Sequence, residues 1–323
     1  MQDDPIQVVL GPPEHGVTRY ARQLADAGGG PVQVQRQLVD AAPPAAPYHL
    51  QLTPQLVGPT PEEAAERLVE WCARSPARPT ITLHDLPQPS DGAQMFPRRA
   101  ACVRRWLGLA RAVAVSSAHE AALVREFAPE AAPTVLPLPV DPPPDPLPPA
   151  PDGSLGVLGF IYPGKGHQEA IGAAAGREPR PPVRFLGAPS PGHEDLVAEL
   201  RGTADRADVP LEVTGHLDEA DWAARIARVG VPLALHRHLS ASGSINSWVA
   251  HRRRPLVLRS SYAEELAALR PGTLQLIEVE EIDDAVAAAL ADPRRTVLPA
   301  DLPLGPDTAA TLTGYRRFWA AAG

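Results

Sequence analysis

The chain has 323 residues, 44% hydrophobic and 21% charged, with 30 basic side chains against 38 acidic ones and a net charge of −8. That length exceeds one ordinary core and suits two domains, and the acidity argues against a general nucleic-acid binder, whose affinity rests on many cationic contacts to phosphate. The opening Met-Gln-Asp-Asp lacks the basic and apolar regions of a secretory signal and no apolar run reaches membrane-spanning length, so a cytoplasmic location is expected.

In the first half, short apolar runs alternate with longer alanine-rich segments of helical period, the pattern of parallel strands wrapped by helices. Strands are predicted at 6–10, 32–35, 48–52, 80–83, 112–115 and 134–136. Open parallel sheets bind ligands beyond the carboxyl ends of their strands, so the residues that follow each run are the candidates. After 6–10 comes Gly11-Pro-Pro-Glu-His15-Gly16-Val-Thr18, opening a helix with Val17, Tyr20, Ala21 and Leu24 on its apolar face. His84-Asp85 follows 80–83, and Ser116-Ser117 follows 112–115. The alternative for His84 is a core histidine bonded to nearby backbone. Cys72 and Cys102 each sit in an apolar helical segment and read as small core residues. The segment 98–111 puts Ala100, Val103, Leu107 and Ala110 on one face with arginines beside it, an amphipathic helix; membrane contact through it is a weaker reading, opposed by the net charge.

The stretch 139–151, Pro-Val-Asp-Pro-Pro-Pro-Asp-Pro-Leu-Pro-Pro-Ala-Pro, can continue neither a helix nor an interior strand and reads as a semi-rigid linker. Two doubly wound α/β domains are expected, 1–145 and 146–305, with a terminal helix from 306 that belongs with the first and offers Tyr315, Phe318 and Trp319 for packing across the domain junction. The second domain carries predicted strands at 155–161, 183–186, 211–213, 231–235, 256–258 and 274–277.

Lys165 is the only lysine of the chain and lies in Gly159-Phe-Ile-Tyr-Pro-Gly164-Lys165-Gly166, between a predicted strand and a helix-like segment. Strand, glycine turn and helix cradle phosphate, because backbone N–H groups and a helix N-terminus face one spot, and an ammonium meets phosphate as a point charge. Gly-x4-Gly-Lys is also the spacing of a nucleotide-triphosphatase P-loop, but that loop needs a hydroxyl after the lysine and Gly166 stands there. After 231–235 comes His236-Arg-His-Leu-Ser240-Ala-Ser242-Gly243-Ser244-Ile-Asn246, small polar residues suited to capping a helix and holding a pyrophosphate. His236 and His238 alternate as metal ligands would, without an evident third ligand. Arg252-Arg-Arg254 falls at the expected end of that helix, where cations complement the dipole.

Taken in order, these segments resemble the retaining GT-B glycosyltransferases of family 4, also called glycosyl transferases group 1. The resemblance runs through His15-Gly16-Val17, Leu83-His84-Asp85, Ala112-Val-Ala-Val-Ser-Ser-Ala-His119, Val135-Leu-Pro-Leu-Pro-Val-Asp141, the loop from Gly159 to Gly166, and Ala291-Asp-Pro-Arg-Arg295. It implies two Rossmann-like domains with an interdomain cleft, and transfer of a sugar from a nucleoside-diphosphate donor to an acceptor that the sequence does not name. No cofactor and no metal are expected. Lys165 and His84 become the catalytic candidates; Gly164, Lys165, Gly166, Ser240, Ser242, Gly243, Ser244 and Asn246 the donor-binding ones; His15, Gly16 and Asp85 the sugar or acceptor side. Phe160 stands where the family carries an arginine, and Ser240 and Trp248 where it carries two glutamates. A non-catalytic nucleotide-sugar-binding protein that assists a partner transferase is therefore the alternative.

Overall fold

The computed structural model describes residues 4–237 and 241–323, so Ser240 and His238 lie outside the described residues. The chain forms two compact units, one from the chain up to Pro139 together with Pro306–Gly323, the other from Val140–Gly305.

In the first unit the elements run β1 (Ile6–Leu10), α1 (Gly16–Gly28), β2 (Val32–Gln35), β3 (Tyr48–Leu52), α2 (Pro54–Val57), α3 (Pro61–Cys72), β4 (Thr80–Leu83), α4 (Gly92–Leu109), β5 (Ala112–Val115), α5 (Ala118–Phe127) and β6 (Thr134–Val135). The strands make one parallel sheet in the order β2-β1-β3-β4-β5-β6. Helices cover both faces of such a sheet, so its central strands are buried throughout, as β3 and β4 are. Leu50, Ile81, Trp71 and Trp106 anchor the core, and Cys72 and Cys102 are free thiols within it. Along α4 the buried side is Ala100, Cys102, Val103 and Trp106, while Arg98 pairs with Glu62 and Arg99 with Asp91, both at 2.7 Å. No described helix is long and apolar enough to cross a membrane.

The second unit runs β7 (Leu155–Leu158), α6 (His167–Ala175), β8 (Val183–Leu186), α7 (Glu194–Arg206), β9 (Leu211–Val213), α8 (Glu219–Arg228), β10 (Val231–Ala234), α9 (Gly243–Ala250), β11 (Leu256–Leu258), α10 (Ser261–Leu269), β12 (Gln275–Ile277) and α11 (Ile282–Ala291). Its sheet, also parallel, has the order β12-β11-β10-β7-β8-β9. Counted from β7 this is the doubly wound order 3-2-1-4-5-6, with the reversal of strand order between β7 and β10; in the first unit the reversal falls between β1 and β3.

Three expectations change. The strand predicted at 155–161 stops at Leu158, because Gly159 takes φ +90° and turns the chain; Phe160 is then exposed and Ile161 pairs again only through an isolated bridge to Pro189. The final helix α12 (Thr308–Ala321) does not spend its aromatic residues at a junction. Tyr315, Phe318 and Trp319 pack with Tyr20, Leu24 and Leu136 inside the first unit. Arg253 is not an exposed helix-end cation but is fully buried. Its guanidinium donates to the carbonyls of Ile226 (3.1 Å), Ala227 (3.2 Å), Gly230 (3.0 Å) and Thr296 (3.2 Å) and to Thr296 Oγ1 (3.0 Å). It therefore satisfies the last carbonyls of α8, a different helix from the one it follows in sequence.

Candidate functional site

In the second unit the reversal of strand order sets the loop after β7 beside the loop after β10. Gly159 turns the chain out of β7, and Gly166 caps α6 with φ +94° and no side-chain cap. A side chain at Gly166 is impossible without movement, since a Cβ would lie 2.5 Å from Leu235 Cβ and 2.8 Å from its carbonyl oxygen. Between them Lys165 folds back, 4% exposed, with Nζ 5.2 Å from the centre of the Tyr162 ring. A Cβ on Gly159 would meet Nζ at 2.8 Å and Ser244 Cβ at 3.9 Å, so the ammonium and the first turn of α9 converge on this glycine.

No carboxylate answers that ammonium among the described residues. The nearest acidic residue in sequence, Glu169, is held by Arg237 at 2.8 Å. Burial without a partner lowers Lys165 from 10.5 to about 7. Two further basic groups are sealed in beside it: His167, with neither ring nitrogen bonded, and His236, with Nδ1 unbonded. Burial, and then the charge of Lys165, lower each to about 3. A lysine and two imidazoles with no acid are an arrangement poised for an anion.

The start of α9 faces the same point. Ser242 Oγ caps it by accepting from Ile245 N–H (3.2 Å) and lies 3.1 Å from Ser244 Oγ, while its own N–H donates to Tyr262 Oη (3.1 Å). The N–H groups of Gly243 and Ser244 have no partner within the helix. Asn246 is turned elsewhere, its Oδ1 accepting from buried Arg270 at 3.2 Å. Trp248 is fully buried against Leu158, Leu186 and Val229. Gly164 lies exposed on the loop and accepts at its carbonyl from Arg237 N–H (3.0 Å).

In the first unit His15 is the N-cap of α1, its Nδ1 accepting from Val17 N–H at 3.2 Å. His84 is buried at the end of β4, edge-on to Tyr20, with Nε2 2.7 Å from Gln51 Oε1. Burial, and then the neighbouring His15, lower it to about 4; His15 itself is lowered by burial against the opposing pull of Asp85. Asp85 takes φ +51° and is held by Arg99 and Gln55, each at 3.0 Å. Gly16 opens onto empty space. Thus Gly159, Lys165, Gly166, Ser242 and Ser244 are gathered in one unit and His15, His84 and Asp85 in the other, with Asn246 apart. Sequence reasoning missed His49, Gln51 and His167; for the first two, polar residues in the wholly buried strand β3 were the available signal.

No protein-family model and no curated protein sequence matches the chain. Its backbone is similar to that of HepE from Anabaena, solved with UDP and glucose, at TM-score 0.71 and 15% identity over 98% of this chain and 99% of that one. It is also similar to sucrose-phosphate synthase from Thermosynechococcus elongatus, at TM-score 0.68 and 15% identity over 98% and 100%. A UDP-forming trehalose-phosphate synthase from Burkholderia xenovorans, solved with glucose-6-phosphate, aligns at TM-score 0.57 and 13% identity over 85% and 71%. With these neighbours and two parallel six-stranded sheets, the fold is GT-B.

Proposed function

We propose that this chain is a glycosyltransferase that takes a sugar from a nucleoside-diphosphate donor, with UDP-glucose the first donor to try because HepE has been solved with it. The observation that carries this reading is the buried, unpaired ammonium of Lys165 meeting the first turn of α9 at Gly159. A diphosphate there would receive a point charge and the N–H groups of Gly243 and Ser244. As the donor's bond from C1 to phosphate oxygen breaks, these groups stabilise the charge gathering on the leaving diphosphate, the effect that dominates such catalysis. The new bond forms between C1 and an acceptor oxygen, and the acceptor's proton passes to the leaving phosphate. That sequence needs no side-chain nucleophile and no metal; the retention of anomeric configuration that the resemblance implies requires the acceptor oxygen to enter on the face the diphosphate leaves. His84 and His15 would contact the sugar, and a cytoplasmic setting suits the donor.

UDP release from UDP-glucose, with crude cell extract as the acceptor source, tests it. Lys165→Ala should lower turnover about 100-fold or more, and near-wild-type turnover would sink the proposal. A second reading, a non-catalytic donor-binding protein, is favoured by Trp248, which fills the core where the resemblance implies a carboxylate. Tight UDP binding with no turnover under any acceptor supply would select it.

A further inference from the structure

The first unit has a switch point of its own, and a cavity of about 600 Å³ sits at it, among the residues that follow β1, β2 and β3. That volume suits a small molecule. Its floor is apolar: Leu38 and Val57 are buried there beside Trp71, whose indole is fixed by donating from Nε1 to the Ala41 carbonyl at 2.8 Å. Val39 stands on the wall and is 77% exposed, an apolar surface that a ligand would take out of water. His15 lines the same cavity, and it interacts electrostatically with His84 and Asp85, so the cavity opens beside the residues assigned to the sugar or acceptor side.

The charged lining is mostly of one sign. Arg36 follows β2, Arg67 lies on α3 and Arg74 just beyond it, and Glu70 is the one acidic residue among them. Three guanidiniums to one carboxylate inverts the balance of a chain whose net charge is −8. Arg67 is already paired with Glu63 at 2.8 Å. Arg36 and Arg74 are exposed and make no ion pair or side-chain hydrogen bond among the described residues. Neighbouring carboxylates are engaged elsewhere: Asp40 accepts from the Gln37 N–H at 2.7 Å, and Asp85 is held by Arg99 and Gln55. Two free guanidinium forks beside an apolar floor match an oxyanion carried on a ring with a hydrocarbon face. A sugar bearing a phosphate or a carboxylate has both, whereas a neutral sugar offers the forks nothing to replace their water.

We propose that this cavity binds an anionic sugar, its phosphate or carboxylate held by Arg36 and Arg74, and that this sugar is the acceptor. The binding stands on the first unit alone; the assignment as acceptor rests on the proposed transferase function.

Calorimetric titration of the full chain, without donor, with glucose 6-phosphate, glucuronate and glucose tests the binding. At least one of the two anions should bind about 10-fold more tightly than glucose, or better, and which one does so tells phosphate from carboxylate. Arg36→Ala and Arg74→Ala should each weaken that anion about 10-fold, with the melting temperature as the check on folding, and lysine at either position should restore part of the loss. Equal affinity for all three sugars overturns the proposal. So does anion binding that survives in both arginine variants but is lost in Lys165→Met, which would put the anion in the second unit. Failure of all three to bind while UDP binds overturns the cavity and keeps the donor site; anion binding without UDP binding keeps the cavity and overturns the transferase reading. With UDP-glucose supplied, the bound anion should accelerate UDP release, and Arg36→Ala should raise its KM about 10-fold. An anion that binds in the cavity and accelerates nothing overturns the acceptor assignment.

Discussion

Lys165 makes a quantitative prediction about how ligand affinity responds to pH. In the free protein its ammonium is buried without a carboxylate and loses its proton near pH 7, against 10.5 for an ordinary lysine. A bound diphosphate would supply the missing counter-charge and hold the proton on well past pH 9. Binding then requires the charged form, of which about half exists at pH 7 and about one part in a hundred at pH 9. The dissociation constant for UDP should therefore rise about 50-fold between pH 7 and pH 9, about 2 kcal/mol at 1.36 kcal/mol per pK unit. Calorimetry in buffers of different ionisation enthalpy should find about half a proton taken up per UDP at pH 7 and close to one at pH 9. Lys165→Met should bind weakly and without this slope. Affinity that stays flat from pH 7 to pH 9, or a slope that survives in Lys165→Met, would refute the assignment of this lysine as the diphosphate's partner.

The other buried bases predict acid lability. His49, His167 and His236 fall to about 3 and His84 to about 4 in the folded chain, against 6.5 unfolded. The unfolded chain therefore binds more protons below pH 6.5, and each histidine should withdraw about 2 kcal/mol by pH 5. Thermal unfolding should show the melting temperature dropping steeply between pH 6.5 and 5, and a flat profile would contradict the neutral assignments. Gly166→Ala must place a methyl 2.5 Å from Leu235 at φ +94° and should cost about 3 kcal/mol in urea unfolding. Arg253→Leu leaves four carbonyls without their buried donor and should cost about 3 to 5 kcal/mol. Arg253→Lys should recover little of it, since three donors on a point cannot serve that fan of acceptors.

The strands were legible because a buried parallel sheet writes short, largely apolar runs set apart by helical or proline-rich segments; 48–52, 80–83 and 183–186 are found where the pattern puts them. The run 155–161 was misjudged at its end because hydropathy continues through Phe160 and Ile161 while the backbone has already turned at Gly159. Arg253 was misplaced for a related reason. Together with Arg252 and Arg254 it reads as a cation complementing a helix end, and nothing in the local sequence announces that carbonyls of Ile226, Ala227 and Gly230 converge on it. Lys165 could be found by its isolation in the composition. The hydrogen bonds that run from His49 through Gln51 to His84 could not, since they depend on which face of β3 meets Thr80 on β4 and on a tyrosine from the far end of the chain.

That last contact bears on how the protein is made. The first unit keeps Tyr315, Phe318 and Trp319 of α12 in its own interior, whereas the second unit is a single uninterrupted stretch, Val140–Gly305. During synthesis the second unit therefore has all of its residues outside the ribosome before the first does. The half encoded earlier must wait, with the pocket for α12 open beside Tyr20 and Leu136, until the closing residues arrive.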